Sequence, residues 1–159
     1  MKDFVFRPAT PGDYESINRL KVQVHDYHFQ HRPDYFNRSD QPLVRSYFAG
    51  LLNSERYHVF VIETSEKIVA YAITYIITYD SNPLVKEHER LYIEDICVNE
   101  SNRNQGVGTR LFNELEAFCR TEQLSHIALD VWNFNERAIR FYNEMGMQPV
   151  IQRFEKRVG

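Results

Sequence analysis

One seven-residue turn constrains this chain more than any other segment: Arg103-Asn104-Gln105-Gly106-Val107-Gly108-Thr109. It follows a strand-like apolar run at 91–98 and precedes apolar residues that recur at helical spacing over 111–119. The first N–H groups of a helix have no intrahelical acceptor, and the helix dipole favours negative charge near them. Gly106 and Gly108 allow positive φ and a close approach of the backbone to a ligand. The turn therefore predicts an anion-binding site.

The spacing within this turn excludes two common phosphate-binding loops. A Walker loop requires G-x-x-x-x-G-K-[ST], and neither the spacing nor the lysine is present. A dinucleotide fingerprint requires a third glycine, but Leu111 occupies its position. The remaining pattern, R-x-x-G-x-G, resembles the pyrophosphate-binding signature of the GNAT superfamily of acetyl-coenzyme A-dependent N-acetyltransferases. For this turn taken alone, a glycine turn without a ligand is the alternative.

A second motif lies downstream of the turn. Asn135 precedes a helical pattern that contains the pair Phe141-Tyr142 and ends at Gly146. GNAT proteins carry a similar element at about this distance from the glycine turn: an Asn, then a short helix that bears a Phe-Tyr pair and ends in Gly. The resemblance rests on specific motifs over roughly residues 91–150 and on the order of elements elsewhere. Two correctly spaced motifs from one family favour the assignment to that family.

The composition is typical of one globular domain spanning 1–159. Hydrophobic residues make up 43% and charged residues 26% of the chain. The formal net charge of −3 argues against a nucleic-acid partner, and no apolar run approaches the ~20 residues needed to cross a membrane. The first residues lack the apolar core of a signal peptide and the two cysteines indicate reduced thiols, so we expect a cytoplasmic protein. The six histidines show no ligand spacing, and we predict no metal site.

The predicted elements follow the order β-α-α-β-β-β-α-β-α-β. Strands are predicted at 4–6, 57–63, 68–78, 91–98, from 126 to about 133, and at 150–157. The second helix is expected to bury Leu43, Tyr47, Phe48, Leu51 and Leu52. This order matches the GNAT fold, so the resemblance implies a mixed α/β (α+β) protein with a twisted, mostly antiparallel sheet whose two central strands splay apart. In that family the pantetheine arm of the coenzyme lies in the splay.

The resemblance implies that acetyl-coenzyme A is the co-substrate. Its expected contacts are the strand backbone, the glycine turn and the second motif, which together comprise Ile96, Cys97, Val98, Arg103, Asn104, Gln105, Gly106, Val107, Gly108, Thr109, Asn135, Arg137 and Tyr142. A backbone N–H of a bulged strand near Cys97 or Val98 would polarise the thioester carbonyl. No His/Asp constellation is evident to activate Cys97, so we expect direct transfer without an acyl-enzyme.

Acetyl transfer to an amine needs a base, because an alkyl amine with a pKa of about 10.4 is almost entirely protonated at neutral pH. Glu94 is the candidate, since it lies mid-strand in a segment similar to the Leu/Ile-Glu-Asp strand that carries the proposed base of spermidine/spermine N-acetyltransferases. A strand carboxylate that merely faces solvent is the alternative. Strand alternation predicts that Glu94 and Asp95 point to opposite faces of the sheet.

Tyr142 is the candidate for the general acid. In the family's Phe-Tyr pair this tyrosine commonly approaches the sulfur, and a phenol with a pKa of about 10 has a proton to deliver to the departing thiolate. A tyrosine buried in the helix for packing is the alternative.

The predicted function is transfer of an acetyl group from acetyl-coenzyme A to a primary amine of a small molecule, by direct attack. Two alternatives stay open: acetylation of a protein N-terminus or lysine, and a non-catalytic sensor that binds acyl-coenzyme A. The expected partner is the amine substrate, with no nucleic acid and no membrane. A homodimer is also an open expectation, since dimers are common among GNAT proteins.

Overall fold

The computed structural model describes residues 3–159. In this part of the chain the strands are β1 (Val5–Pro8), β2 (Tyr57–Glu63), β3 (Ile68–Tyr79), β4 (His88–Val98) and β5 (His126–Leu129). The α-helices of the same residues are α1 (Tyr14–His31), α2 (Arg45–Leu52), α3 (Val107–Thr121) and α4 (Glu136–Glu144).

The strands form one sheet in the order β1-β2-β3-β4-β5. All neighbouring strands are antiparallel except β4 and β5, which are parallel. Helices α1 and α2 pack on one face of the sheet, and α3 and α4 pack on the other. The predicted mixed α/β fold with a mostly antiparallel sheet is confirmed.

Strands β4 and β5 separate halfway along β4. The ladder between β4 and β5 runs from the pair Arg90–His126 to the pair Ile93–Leu129. Strand β4 continues to Val98, whereas β5 has already ended. The backbone of β4 from Glu94 onward therefore has a free edge on this side, which is the expected splay.

Strand β4 carries a β-bulge at Glu94. Asp95 lies opposite Ile73 and Ile93 lies opposite Thr74, so Glu94 is an extra residue without a partner on β3. The bulge interrupts the alternation of side chains. Glu94 contacts α2 and Asp95 contacts α1, which lie on the same face of the sheet. The prediction that the two carboxylates point to opposite faces is wrong, because it assumed an uninterrupted strand.

A polar network under the bulge ties β4 to α1. The carboxylate of Asp95 accepts hydrogen bonds from Lys21 Nζ at 2.5 Å and from the Tyr71 hydroxyl at 2.8 Å. Asp95 has a side-chain exposure of only 14%. Loss of Lys21 or Tyr71 would leave the largely buried carboxylate of Asp95 under-compensated. The Lys21–Asp95 ion pair therefore holds α1 and the bulge in one arrangement.

The predicted last strand, 150–157, is not formed. Residues 148–159 adopt neither helix nor strand, and the strand that was expected to reach about residue 133 ends at Leu129. The alternation of residues 150–157 fits a strand, but a strand is stable only when its backbone groups have a ladder partner. Within residues 3–159 this segment has none.

Candidate functional site

The turn between β4 and α3 exposes backbone N–H groups in one place. Asn104 and Gly106 both have positive φ, at 60° and 78°. Gly106 is the N-cap of α3, so the N–H groups of the following residues begin the helix without intrahelical acceptors. Successive N–H groups in such a turn form a concave anion site, and the helix dipole adds to it. The arrangement fits the predicted phosphate cradle.

Gly108 serves packing in this turn. A Cβ at Gly108 would lie 3.3 Å from Cζ of Phe141 and 3.7 Å from Cγ2 of Val98. Its backbone is helical, so the expectation that Gly108 supplies positive φ is wrong; of the two glycines in the turn, only Gly106 has positive φ. The missing side chain lets the first turn of α3 pack directly on α4 and on the end of β4. The two sequence motifs are thus in contact.

The strand residues expected near the coenzyme are Ile96, Cys97 and Val98, and it is their backbone rather than their side chains that a ligand can contact. The side chains of Ile96 and Val98 pack against the cluster under α3 and α4. Cys97 is buried on the opposite face, where its thiol donates to the carbonyl of Leu20 at 3.3 Å. Backbone N–H and C=O groups at the free edge of β4 are what remains available to a ligand.

Both cysteines are buried, free thiols. Burial raises the pKa of Cys97 to about 12 and the pKa of Cys119 to about 11. The thiolate is the nucleophilic form of cysteine, and a buried thiol with such a pKa is inert at neutral pH. This argues against an acyl-enzyme on Cys97.

In the second motif, Asn135 caps α4 as expected: its side-chain oxygen accepts the N–H of Ala138 at 3.2 Å. Arg137 is exposed on the first turn of the helix. Burial raises the pKa of Tyr142 to about 12, with Asp95 and Cys97 as further contributors.

Glu94 is exposed, and two phenols hold its carboxylate. The hydroxyl of Tyr47 on α2 donates to Oε2 at 2.6 Å, and the hydroxyl of Tyr57 on β2 points at Oε1 from 3.4 Å. Burial and the hydrogen bond to Glu94 together raise the pKa of Tyr47 well above its usual value. Two positioned donors distinguish Glu94 from a freely solvated strand carboxylate.

A row of tyrosines crosses the sheet beside Glu94. Tyr57, Tyr75 and Tyr92 lie in register on β2, β3 and β4. Their ring centroids are 5.0 Å apart between Tyr57 and Tyr75 and 5.2 Å apart between Tyr75 and Tyr92. We call these three residues the tyrosine row. Tyr47 and Tyr57 hold the carboxylate directly, and Tyr75 and Tyr92 continue the aromatic surface across the sheet.

The sequence did not point to Lys21, Tyr47, Tyr57 or Tyr92 as site residues. Tyr47 was expected in the buried stripe of α2, but it is 44% exposed and turns its hydroxyl to Glu94. The register of the hairpin between β2 and β3 was the one available signal, because it aligns Tyr57 with Tyr75. The position of Tyr92 depends in addition on how β4 pairs with β3.

Neither metal binding nor membrane spanning is indicated by the described residues. Over 3–159, no three or more His, Cys, Asp or Glu side chains are grouped so that they could hold a metal ion. Over the same residues, no helix combines the length and the apolar character needed to cross a membrane.

Comparison with known proteins identifies the family. The model of the Acetyltransferase (GNAT) family matches residues 22–147. The chain belongs to the GNAT acetyltransferase family and is an acyl-coenzyme A-dependent N-acetyltransferase.

Two relatives are acetyltransferases by name. Thialysine N-epsilon-acetyltransferase of Bos taurus is 24% identical over 156 residues, which cover 93% of this chain and 86% of that protein. Streptothricin acetyltransferase of Streptomyces lavendulae is 39% identical over 59 residues, which cover 37% of this chain and 31% of that protein.

Solved structures share the fold. A mutant of the BH1408 protein from Bacillus halodurans has a TM-score of 0.94 and 33% identity, covering 97% of this chain and 99% of that one. The aminoglycoside N-acetyltransferase AAC(6')-Iy, in complex with CoA, has a TM-score of 0.74 and 16% identity, covering 99% of this chain and 96% of that one.

The contact at Gly108 predicts opposite effects for two equivalent substitutions. Gly108→Ala places a methyl group against Phe141, whose ring packs on the core cluster under α3 and α4, and we expect a net loss of about 1 kcal/mol in the free energy of unfolding. Gly50→Ala in α2 meets no atom within 4 Å, and we expect a gain of about 0.5–1 kcal/mol from helix propensity. Urea denaturation of both variants measures the difference, and a gain in both would contradict the packing role of Gly108.

Proposed function

We propose that this protein transfers an acetyl group from acetyl-coenzyme A to a primary amine of a small molecule, by direct attack. The observation that carries the proposal is the free edge of β4, which runs from the phenol-bound carboxylate of Glu94 to the N–H-rich turn before α3. The carboxylate that we propose as the base and the turn that we propose as the phosphate cradle therefore belong to the two ends of one stretch of β4 without a neighbouring strand.

The coenzyme occupies the splay in this proposal. Its pyrophosphate binds the turn Arg103–Thr109, chiefly through main-chain N–H groups, and its pantetheine amides pair with the edge of β4 that lacks a neighbouring strand, over Ile96, Cys97 and Val98, where Nε of Arg103 donates to the Val98 carbonyl at 3.4 Å. Asn135 and Arg137, at the start of α4, are further contacts of the coenzyme in this proposal. The CoA complex of a protein with the same fold supports acetyl-coenzyme A as the co-substrate.

The cradle predicts that a negative charge in the first turn of α3 abolishes coenzyme binding. Thr109 is exposed, and a glutamate there is compatible with a helix N-terminus. Thr109→Glu should therefore fold normally and lose at least about tenfold in affinity for coenzyme A, because its carboxylate repels the pyrophosphate. The control is Ala117→Glu, which adds the same charge at an exposed position two turns along the helix. Isothermal calorimetry that finds equal affinities would disprove the cradle.

The amine approaches Glu94 in this proposal. The carboxylate accepts the proton that the amine must lose, directly or through water, and the tyrosine row provides π faces and hydroxyls suited to a cationic group. Thialysine N-epsilon-acetyltransferase, streptothricin acetyltransferase and an aminoglycoside N-acetyltransferase are named for small molecules, which supports a small amine as the acceptor.

The role of Glu94 as a base predicts a change in the pH profile. In the wild type, kcat/KM should rise with pH, and Glu94→Gln should flatten or displace this limb and lower kcat by about 10²–10⁴. Glutamine still accepts the Tyr47 hydroxyl, so the geometry and coenzyme affinity should persist. The control is Glu87→Gln, which removes the same charge from an exposed loop position.

Three outcomes distinguish the candidate functions. An unchanged profile in Glu94→Gln would assign Glu94 to positioning. Thiol release with peptides but not with small amines would favour a protein substrate. Coenzyme binding without thiol release across amines, amino acids, aminoglycosides and peptides would favour the sensor.

Tyr142 is the acid in this proposal, with its proton only partly transferred. A thiol has a pKa of about 8.5, and burial raises the pKa of Tyr142 to about 12. Complete transfer to a free thiolate is therefore uphill by about 3.5 pKa units, or about 5 kcal/mol. The contribution is strongest as a hydrogen bond to the sulfur while the C–S bond breaks and negative charge develops.

The raised pKa of Tyr142 predicts that the acid remains available in alkaline solution. The group is active when protonated, so kcat should show no falling limb from it until the pH approaches about 12. Tyr142→Phe should lower kcat by about 10²–10⁴ while coenzyme affinity changes far less. Tyr35→Phe, at a 62% exposed tyrosine, is the matched control. A near-normal kcat in Tyr142→Phe would show that Tyr142 serves packing and not proton transfer.

A further inference from the structure

Beyond the tyrosine row, the same face of the sheet ends in three further side chains: Tyr79 on β3, and His88 and Arg90 on β4. Tyr79 is four residues from Tyr75 and Arg90 is two residues from Tyr92. Strand side chains return to the same face every second residue, and the register of β3 and β4 has no shift over this stretch. We call Tyr79, His88 and Arg90 the Arg90 cluster. Tyr79 is exposed and the other two are half-buried, so a ligand on this face can reach the cluster.

Contacts within the Arg90 cluster hold the guanidinium in place. Nη2 of Arg90 lies 2.8 Å from Nε2 of His88. An arginine nitrogen can only donate, so Nε2 accepts, and the proton on Nδ1 is donated to the carbonyl of Lys86 at 2.8 Å. The ring of Tyr79 stacks on His88 with centroids 4.5 Å apart, and Cζ of Arg90 lies 5.1 Å from the Tyr79 centroid. A neutral imidazole and an aromatic face therefore position the cation.

The guanidinium of Arg90 keeps donors without partners. Its Nε is the one buried side-chain nitrogen or oxygen of residues 3–159 that makes no hydrogen bond. Over the same residues, Arg90 forms no ion pair with a carboxylate. A buried donor without a partner is destabilising, so the stability of the chain does not explain this arginine. A planar guanidinium matches a carboxylate, which binds it through two parallel hydrogen bonds.

We propose that Arg90 binds the anionic end of the acceptor, so that the substrate is an amine that carries a carboxylate at its far end. The inference rests on the proposed function, because it takes the acceptor amine to lie at Glu94. The middle of the acceptor crosses the rings of Tyr75 and Tyr92, and its carboxylate pairs with the guanidinium. Groups of opposite charge thus lie toward the two ends of one aromatic surface, which is complementary to a molecule with opposite charges at its own ends.

The spacing of Arg90 and Glu94 sets the length of the acceptor. A strand advances about 3.3 Å per residue, so their Cα atoms are at most about 13 Å apart. After a hydrogen bond of about 3 Å at each end, about 7 Å remain between amine and carboxylate. The guanidinium lies over Tyr79, on the side away from Glu94, which lengthens this span. With carbon–carbon bonds of about 1.5 Å, 4-aminobutanoate is too short to reach both groups and 8-aminooctanoate is long enough.

Asp130 provides the competing way to bind the far end of an acceptor. Burial and a hydrogen bond to Asp130 raise the pKa of Tyr92 well above its usual value, so a second carboxylate lies beside the tyrosine row. A diamine would place its second cation there. Asp130 is exposed and already has a phenol as a partner, whereas Arg90 has no anionic partner in the described chain. The arginine is therefore the group that gains more from a ligand.

Steady-state kinetics with acceptors of matched length test the assignment. The probes are 8-aminooctanoate, octylamine and 1,8-diaminooctane, which differ in the group at the far end. The wild type should prefer 8-aminooctanoate, chiefly through a lower KM, because a contact remote from the reacting atoms contributes uniform binding. Arg90→Met keeps the aliphatic stem and should lower kcat/KM for 8-aminooctanoate at least about tenfold more than for octylamine. Arg90→Lys keeps the charge and should recover part of the loss.

Two controls separate a binding role of Arg90 from a structural one. Arg120→Met removes the same charge from α3, where the side chain is 73% exposed, and should leave the preference unchanged. The shorter pair, 4-aminobutanoate and butylamine, should show no dependence on Arg90. An equal loss for 8-aminooctanoate and octylamine in Arg90→Met would indicate a structural role and overturn the proposal.

The remaining outcomes distinguish this proposal from the proposed function. A wild type that prefers 1,8-diaminooctane assigns the second charge to Asp130 and overturns the anionic site. A wild type that acetylates other amines but gains nothing from the carboxylate of 8-aminooctanoate overturns the anionic site and leaves the proposed function intact. A wild type that binds coenzyme A and acetylates no amine overturns both.

Discussion

The bulge in β4 is the constraint on which the site depends. One extra residue allows Glu94 to reach the hydroxyls of Tyr47 and Tyr57 while Asp95 points beneath it to Lys21. In a regular strand one of the two carboxylates would face the apolar cluster under α3 and α4, where an ionised group is costly. The Lys21–Asp95 pair therefore fixes the register, because a slip by one residue would separate a largely buried charge from its partner.

The free edge of β4 follows from the early end of β5. A central strand normally has ladder partners on both sides, and buried backbone groups without partners are rare in folded proteins. Here β5 stops at Leu129 and the chain turns toward the cap of α4. The sheet thereby keeps a row of backbone donors and acceptors at this edge of β4, and an amide-containing ligand can satisfy them as a neighbouring strand would.

The sequence predicted the parts of the molecule that depend on local patterns. The glycine turn and the helix after it, the hairpin of β2 and β3, and the Asn135 cap each carry their signal within a short segment. The bulge does not, since it depends on pairing with β3 and on Lys21, which is 74 residues away from Asp95. Helical spacing identifies which residues share a face of the helix. It does not show that Tyr47 lies beyond the edge of the core, so its exposure could not be predicted.

The strand predicted at 150–157 shows a different limit of sequence patterns. Alternation describes how a segment would present its two sides, and here Val150, Phe154 and Val158 do share one side. It does not specify the neighbour that must supply the ladder. A pattern can therefore be read correctly for a segment while the element itself is absent from the isolated chain.

The burial of both thiols has a practical consequence for activity assays of this protein. Transfer from a thioester releases one free thiol per turnover, and reagents that detect it react with thiolates. With pKa values of about 12 for Cys97 and about 11 for Cys119, and only 6% exposure of each, the folded protein contributes almost no thiolate of its own. The same burial makes thiol labelling a reporter of unfolding, since the two thiols become reactive only when the core on either face of the sheet opens.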